Sequence, residues 1–178
     1  MFFLLFVIIL ESFICQSYAI DNKNIPADFE AKKPYIEAEI ETNIPLGQTI
    51  TYTEVPRGII LSVAQCEIFD ELGEITPDGK KILYHISNLL NNFDNNCTIE
   101  VHTEINTPKN SLGEEDWEIS IIRANKIAEY LSMTINNAAE RLFPIGFGAI
   151  MPFKGNVSTK DFPNNRIDFV IFDYTVTR

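Results

Sequence analysis

Two stretches with helical spacing, each wedged between short β-prone runs, constrain this 178-residue chain more than any other feature. The first opens at Thr76-Pro77, a threonine able to cap a helix followed by a proline at the first helical position, where its missing N–H is not needed. Behind it Ile82, Ile86, Leu89 and Phe93 recur at spacings of four and three, which marks one buried stripe, and Asn91 to Asn96 ends the helix in a polar turn. The second helix runs from Asp116 to about Met133, with Trp117, Ile121, Ala124, Ala128 and Leu131 on its apolar face. Around them lie the β runs. Thr49 to Glu54 and Ile59 to Cys66 form a hairpin through the turn Pro56-Arg57-Gly58, Cys97 to His102 alternates between two faces, Leu142 to Gly148 makes a third core strand, and Ile167 to Tyr174 a last, strongly apolar one. The order hairpin, helix, strand, helix, strand, loop, strand predicts an α/β sandwich, a mixed β-sheet with helices packed on one face. A right-handed crossover makes strand 59–66 parallel to strand 97–102. Cys66 and Cys97 then lie at opposite ends of the sheet, as separate buried thiols and not as a disulfide.

A hydrophobic share of 46%, with 13 phenylalanines, is enough to build one core of ordinary size. The domain spans 49–176. Ahead of it, residues 20–48 are polar, charged and punctuated by Pro26, Pro34 and Pro45, and read as a linker with a short helical piece around Tyr35 to Glu41. Fourteen Lys and Arg stand against 25 Asp and Glu, a net charge of −11. Phosphate backbones and anionic lipid surfaces repel such a chain, so nucleic acid is excluded as a partner.

Residues 1–19 read as a signal peptide: Phe2 to Leu10 is continuously apolar, and Ser17-Tyr18-Ala19 puts small residues at −3 and −1 of a cut. The competing reading is an uncleaved membrane anchor over residues 2–20, long enough to span a bilayer but with Glu11 at mid-depth. Either way the domain is expected to be exported. No Lys or Arg precedes the apolar run, and Ser12-Phe13-Ile14-Cys15 is a poor lipoprotein box because Ile14 is bulky.

The residues that point to a ligand join the third β run to the second helix. His102-Thr103-Glu104 stands at the carboxyl end of a strand, and Asp116, Ser120 and Arg123, spaced four and three, share one helical face in the first turns of the next helix. Helix N-termini attract anions, and Arg123 adds a planar fork suited to a carboxylate. Glu104 supplies the opposite charge. A cationic wall beside a carboxylate suits a zwitterionic ligand that carries both amine and carboxylate.

From Thr49 to Tyr174 the chain resembles the OmpA/MotB-type peptidoglycan-binding domain, closest to its MotB-like branch. Ile68-Phe69-Asp70 resembles the family's Phe-Asp before the first helix, and Val101-His102-Thr103-Glu104 its Gly-His-Thr-Asp strand end. Asp116-Trp117-Glu118-Ile119-Ser120 with Arg123-Ala124 resembles Asn-Trp-Glu-Leu-Ser-x-x-Arg-Ala. Gly146-Phe147-Gly148, Pro152 and Asn156, then Asn164-Asn165-Arg166-Ile167-Asp168, resemble the Gly-x-Gly…Pro…Asn and Asn-Arg-Arg-Val-Glu endings.

The resemblance implies an OmpA C-terminal-domain-like fold and non-covalent binding of peptidoglycan in the periplasm, tying an envelope protein or assembly to the cell wall or outer membrane. By it, Glu104 and Arg123 hold the diaminopimelate of a wall peptide, with Thr103, Asp116, Ser120, Asn165 and Arg166 as the remaining ligand-binding candidates. It also implies a homodimer or an envelope or motor assembly as partners, and no cofactor or metal. The chain departs from the pattern at Glu104 for Asp, Val101 for Gly, Asp116 for Asn and Asn165 for the first paired Arg, which weakens affinity or alters the preferred peptide. A second reading is a MotB-like stator component with residues 2–20 as its membrane span. Plainer roles stand beside each residue: Arg123 paired with Glu118 or Glu104, Glu104 as a cap, Arg166 in a structural ion pair, Trp117 in the core. Catalysis has little to draw on. His85 and His102 are the only histidines, and His102-x-Glu104 lacks the Pro-Cys-x-x-Cys partner of a zinc deaminase.

Overall fold

The computed structural model describes residues 29–104, 115–153 and 163–173. The expected signal segment and residues 105–114 and 154–162 lie outside them.

Hairpin strands β1 (Ile50–Val55) and β2 (Gly58–Ala64) come first in the sheet, then β3 (Cys97–His102), β4 (Leu142–Gly148) and β5 (Arg166–Phe172). Their order across the sheet is β1-β2-β5-β3-β4. The last strand is inserted between β2 and β3 and is antiparallel to both, so β2 and β3 do run the same way. β3 and β4 pair in parallel, with an irregularity after Val101. Gly58, at φ +138°, makes the hairpin possible: a Cβ there would fall 1.9 Å from the Ile171 carbonyl oxygen of β5.

Alternation along each strand sorts the two faces. Ile59, Leu61, Val63, Cys97, Ile99, Val101, Ile167, Phe169 and Ile171 point into one core with the helices. Helix α3 (Pro77–Asn92) is capped as expected, Thr76 Oγ1 accepting from the Gly79 N–H at 2.9 Å, and buries Ile82, Leu83, Ile86, Leu89 and Leu90. Its far end is closed by buried Arg141, whose guanidinium donates to the carbonyls of Leu90, Phe93 and Asn95. Arg141 ends the short helix α5 (Ala138–Arg141) that leads into β4.

Three expectations are corrected. Much of the assigned linker belongs to the fold: α1 (Phe29–Asn43) buries Phe29, Ile36 and Ile40, with Ile44 just beyond, in the same core. Lys33 pairs with Glu54, and Tyr52 Oη donates to Glu41 Oε1 at 2.6 Å, fastening α1 to edge strand β1. Second, strand β2 stops at Ala64, and the chain turns into the four-residue helix α2 (Gln65–Ile68), which leaves Cys66 exposed while Cys97 is buried. Both thiols are free, as the opposite strand ends require. Third, helix α4 (Asp116–Ser132) turns Ile119, Ser120, Ala124, Ile127 and Leu131 inward, and Trp117, at 56% exposure, faces solvent with Ile121. Among the described residues no helix is long and apolar enough to cross a membrane.

Candidate functional site

The carboxyl ends of β2 and β3 and the start of β5 meet at one end of the sheet, because β5 pairs Arg166 with both Ala64 and His102. Gln65 follows β2 directly. Its N–H donates to the Asn165 carbonyl at 2.9 Å, and its buried amide Nε2 donates to the His102 carbonyl at 2.5 Å. Its remaining oxygen accepts from Arg123 Nη1 of α4. On the other side, Asn165 Oδ1 accepts the Glu104 N–H at 2.9 Å. Arg123 and the strand tip that carries Glu104 are thus tied to one framework, with Gln65 and Asn165 as the connectors.

Arg123 is half-buried, its guanidinium 5.3 Å from the centre of the Phe69 ring. Burial pushes it below its ordinary range, and the charge of nearby Asp70 pulls the other way. Asp70 also organises the loop before α3, its Oδ1 accepting the N–H groups of Leu72 at 2.9 Å and Glu74 at 2.8 Å. Lys126, one turn after Arg123, donates to the Gly73 carbonyl and to Glu74, each at 2.8 Å. Cations of α4 therefore line up against anions of the Asp70 loop, with exposed Glu104 at the strand tip.

The other candidates are spread more widely than their spacing suggests. Ser120 is fully buried, and its hydroxyl is already committed: it donates to the Trp117 carbonyl at 2.8 Å and accepts the Gly148 N–H at 3.0 Å. Asp116 lies at the start of α4 beside Gly146, Gly148 and Ile150. Thr103 donates its N–H to the Gly148 carbonyl at 2.9 Å, while its buried hydroxyl has no hydrogen-bond partner among the described residues. The start of α4 is not open to an anion either, because Glu115 and Glu118 form a reciprocal capping box there.

Arg166 is brought to the opposite face of the sheet from Arg123. Its Nε donates to Asp168 Oδ2 at 2.9 Å, its Nη2 to the Met151 carbonyl at 3.3 Å, and its guanidinium lies 5.2 Å from the Phe153 ring. The structural ion pair is therefore present. The sequence does not reveal Gln65, because nothing in its local pattern marks a glutamine that links a helix to a strand end two elements away.

A model of the OmpA family matches residues 70–166. The chain is 25% identical over 118 residues to "Uncharacterized protein YtxE" of Bacillus subtilis (strain 168), covering 65% of this chain and 48% of that protein, so it spans about half the length of the curated relative it matches. A putative MotB-like protein from Desulfovibrio vulgaris superposes with a TM-score of 0.68 at 20% identity, covering 84% of this chain and 94% of that one. The cell wall anchor of the T6SS from Pseudomonas aeruginosa does so with 0.66 at 18% identity, covering 79% and 98%. At such identities these two structures speak for the fold.

Proposed function

Because the chain belongs to the OmpA family, we propose that its domain binds peptidoglycan non-covalently and ties an exported envelope protein or assembly to the cell wall. The observation that carries this reading is the relay from Arg123 through Gln65 to the end of β3, which holds a guanidinium fork at the same sheet end as Glu104. A diaminopimelate side chain presents an amine and a carboxylate on one carbon. Arg123 takes the carboxylate in a charge-assisted, bidentate contact, and Glu104 takes the amine. Glu104 reaches one methylene further than an aspartate and compensates by standing exposed at a strand tip. Thr103 offers beside it a buried hydroxyl that no described residue engages, and Asn165 fixes the backbone from which Glu104 projects. Holding a ligand this way calls for no proton transfer or nucleophile.

Sedimentation with purified sacculi tests it. The wild-type chain is expected to pellet with sacculi and to be released by free diaminopimelate. Arg123→Ala, which removes a charged hydrogen-bonding partner, is expected to weaken pelleting by about tenfold or more, with circular dichroism checking that the fold persists. Undiminished pelleting of folded Arg123→Ala overturns the site.

A second reading, a MotB-like stator component anchored through residues 2–20, is favoured by the Trp117-Glu118-Ile119-Ser120 motif and by the likeness to the Desulfovibrio protein. Sequencing the N-terminus of the mature protein separates the two: a start at Ile20 removes the anchor and with it the stator.

A further inference from the structure

The face of the sheet turned away from the helices holds a cavity of about 350 Å³ whose floor is polar and buried. Ser62, Glu100, His102, Arg166 and Asp168 come from the three central strands β2, β3 and β5, each no more than 6% exposed. Part of this floor is internally satisfied. Ser62 Oγ donates to Asp168 Oδ1 at 2.6 Å, Arg166 holds Asp168 Oδ2, and Arg57 reaches Glu100 at 3.3 Å. Part of it is not. Among the described residues, Arg166 Nη1 and both ring nitrogens of His102 are buried without a hydrogen bond, although His102 Nε2 lies 3.2 Å from Asp168 Oδ2. The His102 ring is held in place by stacking on Phe147, 5.1 Å away and inclined by 3°. Buried polar groups without partners are rare enough to ask what completes them.

The volume equals that of roughly ten water molecules, more than a few unpaired atoms need, and lies in the range of small-ligand sites. Charge selects the class of occupant. Arg166 in the floor and the more exposed Arg57 beside it face two carboxylates, so the charges of the lining sum to zero and favour neither an anion nor a cation. The wall, including Val55, Ile60 and Pro152, is apolar. An apolar wall over a floor of alternating donors and acceptors suits a flat ring with apolar faces and hydroxyl edges. We propose that this cavity binds a neutral pyranose sugar, with Arg166 Nη1 and His102 donating to its oxygens and Asp168 and Glu100 accepting from its hydroxyls. The site lies on the opposite face from Arg123 and does not rest on the wall-peptide reading.

The two histidines give a direct readout, because His102 is in the cavity floor and His85 lies on α3, away from it. In an NMR titration of the full chain with N-acetylglucosamine or glucose, the His102 ring signals are expected to move saturably while those of His85 stay still. Peptide-free glycan strands, titrated in parallel, distinguish a free sugar from a polymer as its source. Arg166→Ala is expected to weaken the titration about fivefold or more. Should that variant fail to fold, Ile60→Trp fills the cavity while leaving every polar floor residue in place, and is expected to abolish it. Arg123→Ala should titrate like wild type, so failure of the wall-peptide site leaves this test intact. The proposal is overturned if His102 does not move with any of the three, if His85 moves equally, if acetate moves His102 as far as the sugars do, or if the folded Ile60→Trp variant titrates unchanged.

Discussion

Gly146 carries no side chain, and that sets how closely α4 can lie on β4. A Cβ at this position would fall 2.5 Å from the Ile121 backbone nitrogen and 2.6 Å from Ser120 Oγ. Because one of those atoms is backbone, the clash cannot be relieved by a rotamer change; the helix has to move. Gly146→Ala is expected to destabilise by about 1–3 kcal/mol, as overpacking does, and to break the bond from the Gly148 N–H to Ser120. Urea midpoints of the two proteins measure it. The same contact explains how far the site was readable at this scale. Polar spacing along the helix marks Ser120 and Arg123 as ligand candidates, yet spacing says nothing about how near a neighbouring strand can come. Where β4 offers two glycines, the small hydroxyl of Ser120 goes inward and is consumed by the Gly148 N–H. Arg123 is too long to be buried whole and stays with its fork at the sheet end. Gln65 left no trace because its three bonds lead to residues 37, 58 and 100 positions away.

Elements that announce themselves by period and cap were legible. Thr76-Pro77 starts α3 where expected, and β3, β4 and β5 lie within two residues of their apolar runs. Helix α4 lies where the spacing predicts it but is rotated in phase: 117-121-124-128-131 and 120-124-127-131 fit its sequence about equally, and close approach to β4 selects the second. Most of helix α1 is hidden in the sequence because Pro34 stands within it, costing a hydrogen bond and reading as punctuation. Tertiary packing overrides that penalty. Phe29, Ile36, Ile40 and Ile44 repeat at seven, four and four, and Ile36 and Ile40 are fully buried. If α1 is part of the fold, Ile36→Ala should remove about 2–5 kcal/mol of stability; a linker would lose almost nothing. Chemical denaturation of the chain followed at Trp117, its single tryptophan, decides between them.

Across the whole molecule, two unlike layers hold the sheet: an apolar core on the helix side and a polar seam on the other. Asp168 is the hinge of that seam, because it touches Ser62 of β2 and His102 of β3 from its place on β5. Burial alone would raise its carboxyl; His102, Arg166 and Ser62 outweigh burial and hold it below the usual carboxylate range. A carboxyl whose folded value is depressed contributes stability that is present above its unfolded value of about 3.9. That contribution fades as pH falls from there through the lower folded value. Lowering the pH from neutral to about 5 should therefore leave it intact, while relieving some of the repulsion within a chain of net charge −11. Asp168→Asn removes one partner of a buried pair and leaves the Arg166 guanidinium without its carboxylate, so it should destabilise by about 3–5 kcal/mol at pH 7. Because wild-type Asp168 itself becomes neutral in acid, the gap between the two proteins should narrow below about pH 4 and nearly close once the folded carboxyl is protonated. Urea titrations at a series of pH values trace that gap. A difference that stays constant into strong acid would mean that the Asp168 charge does not hold the three central strands together.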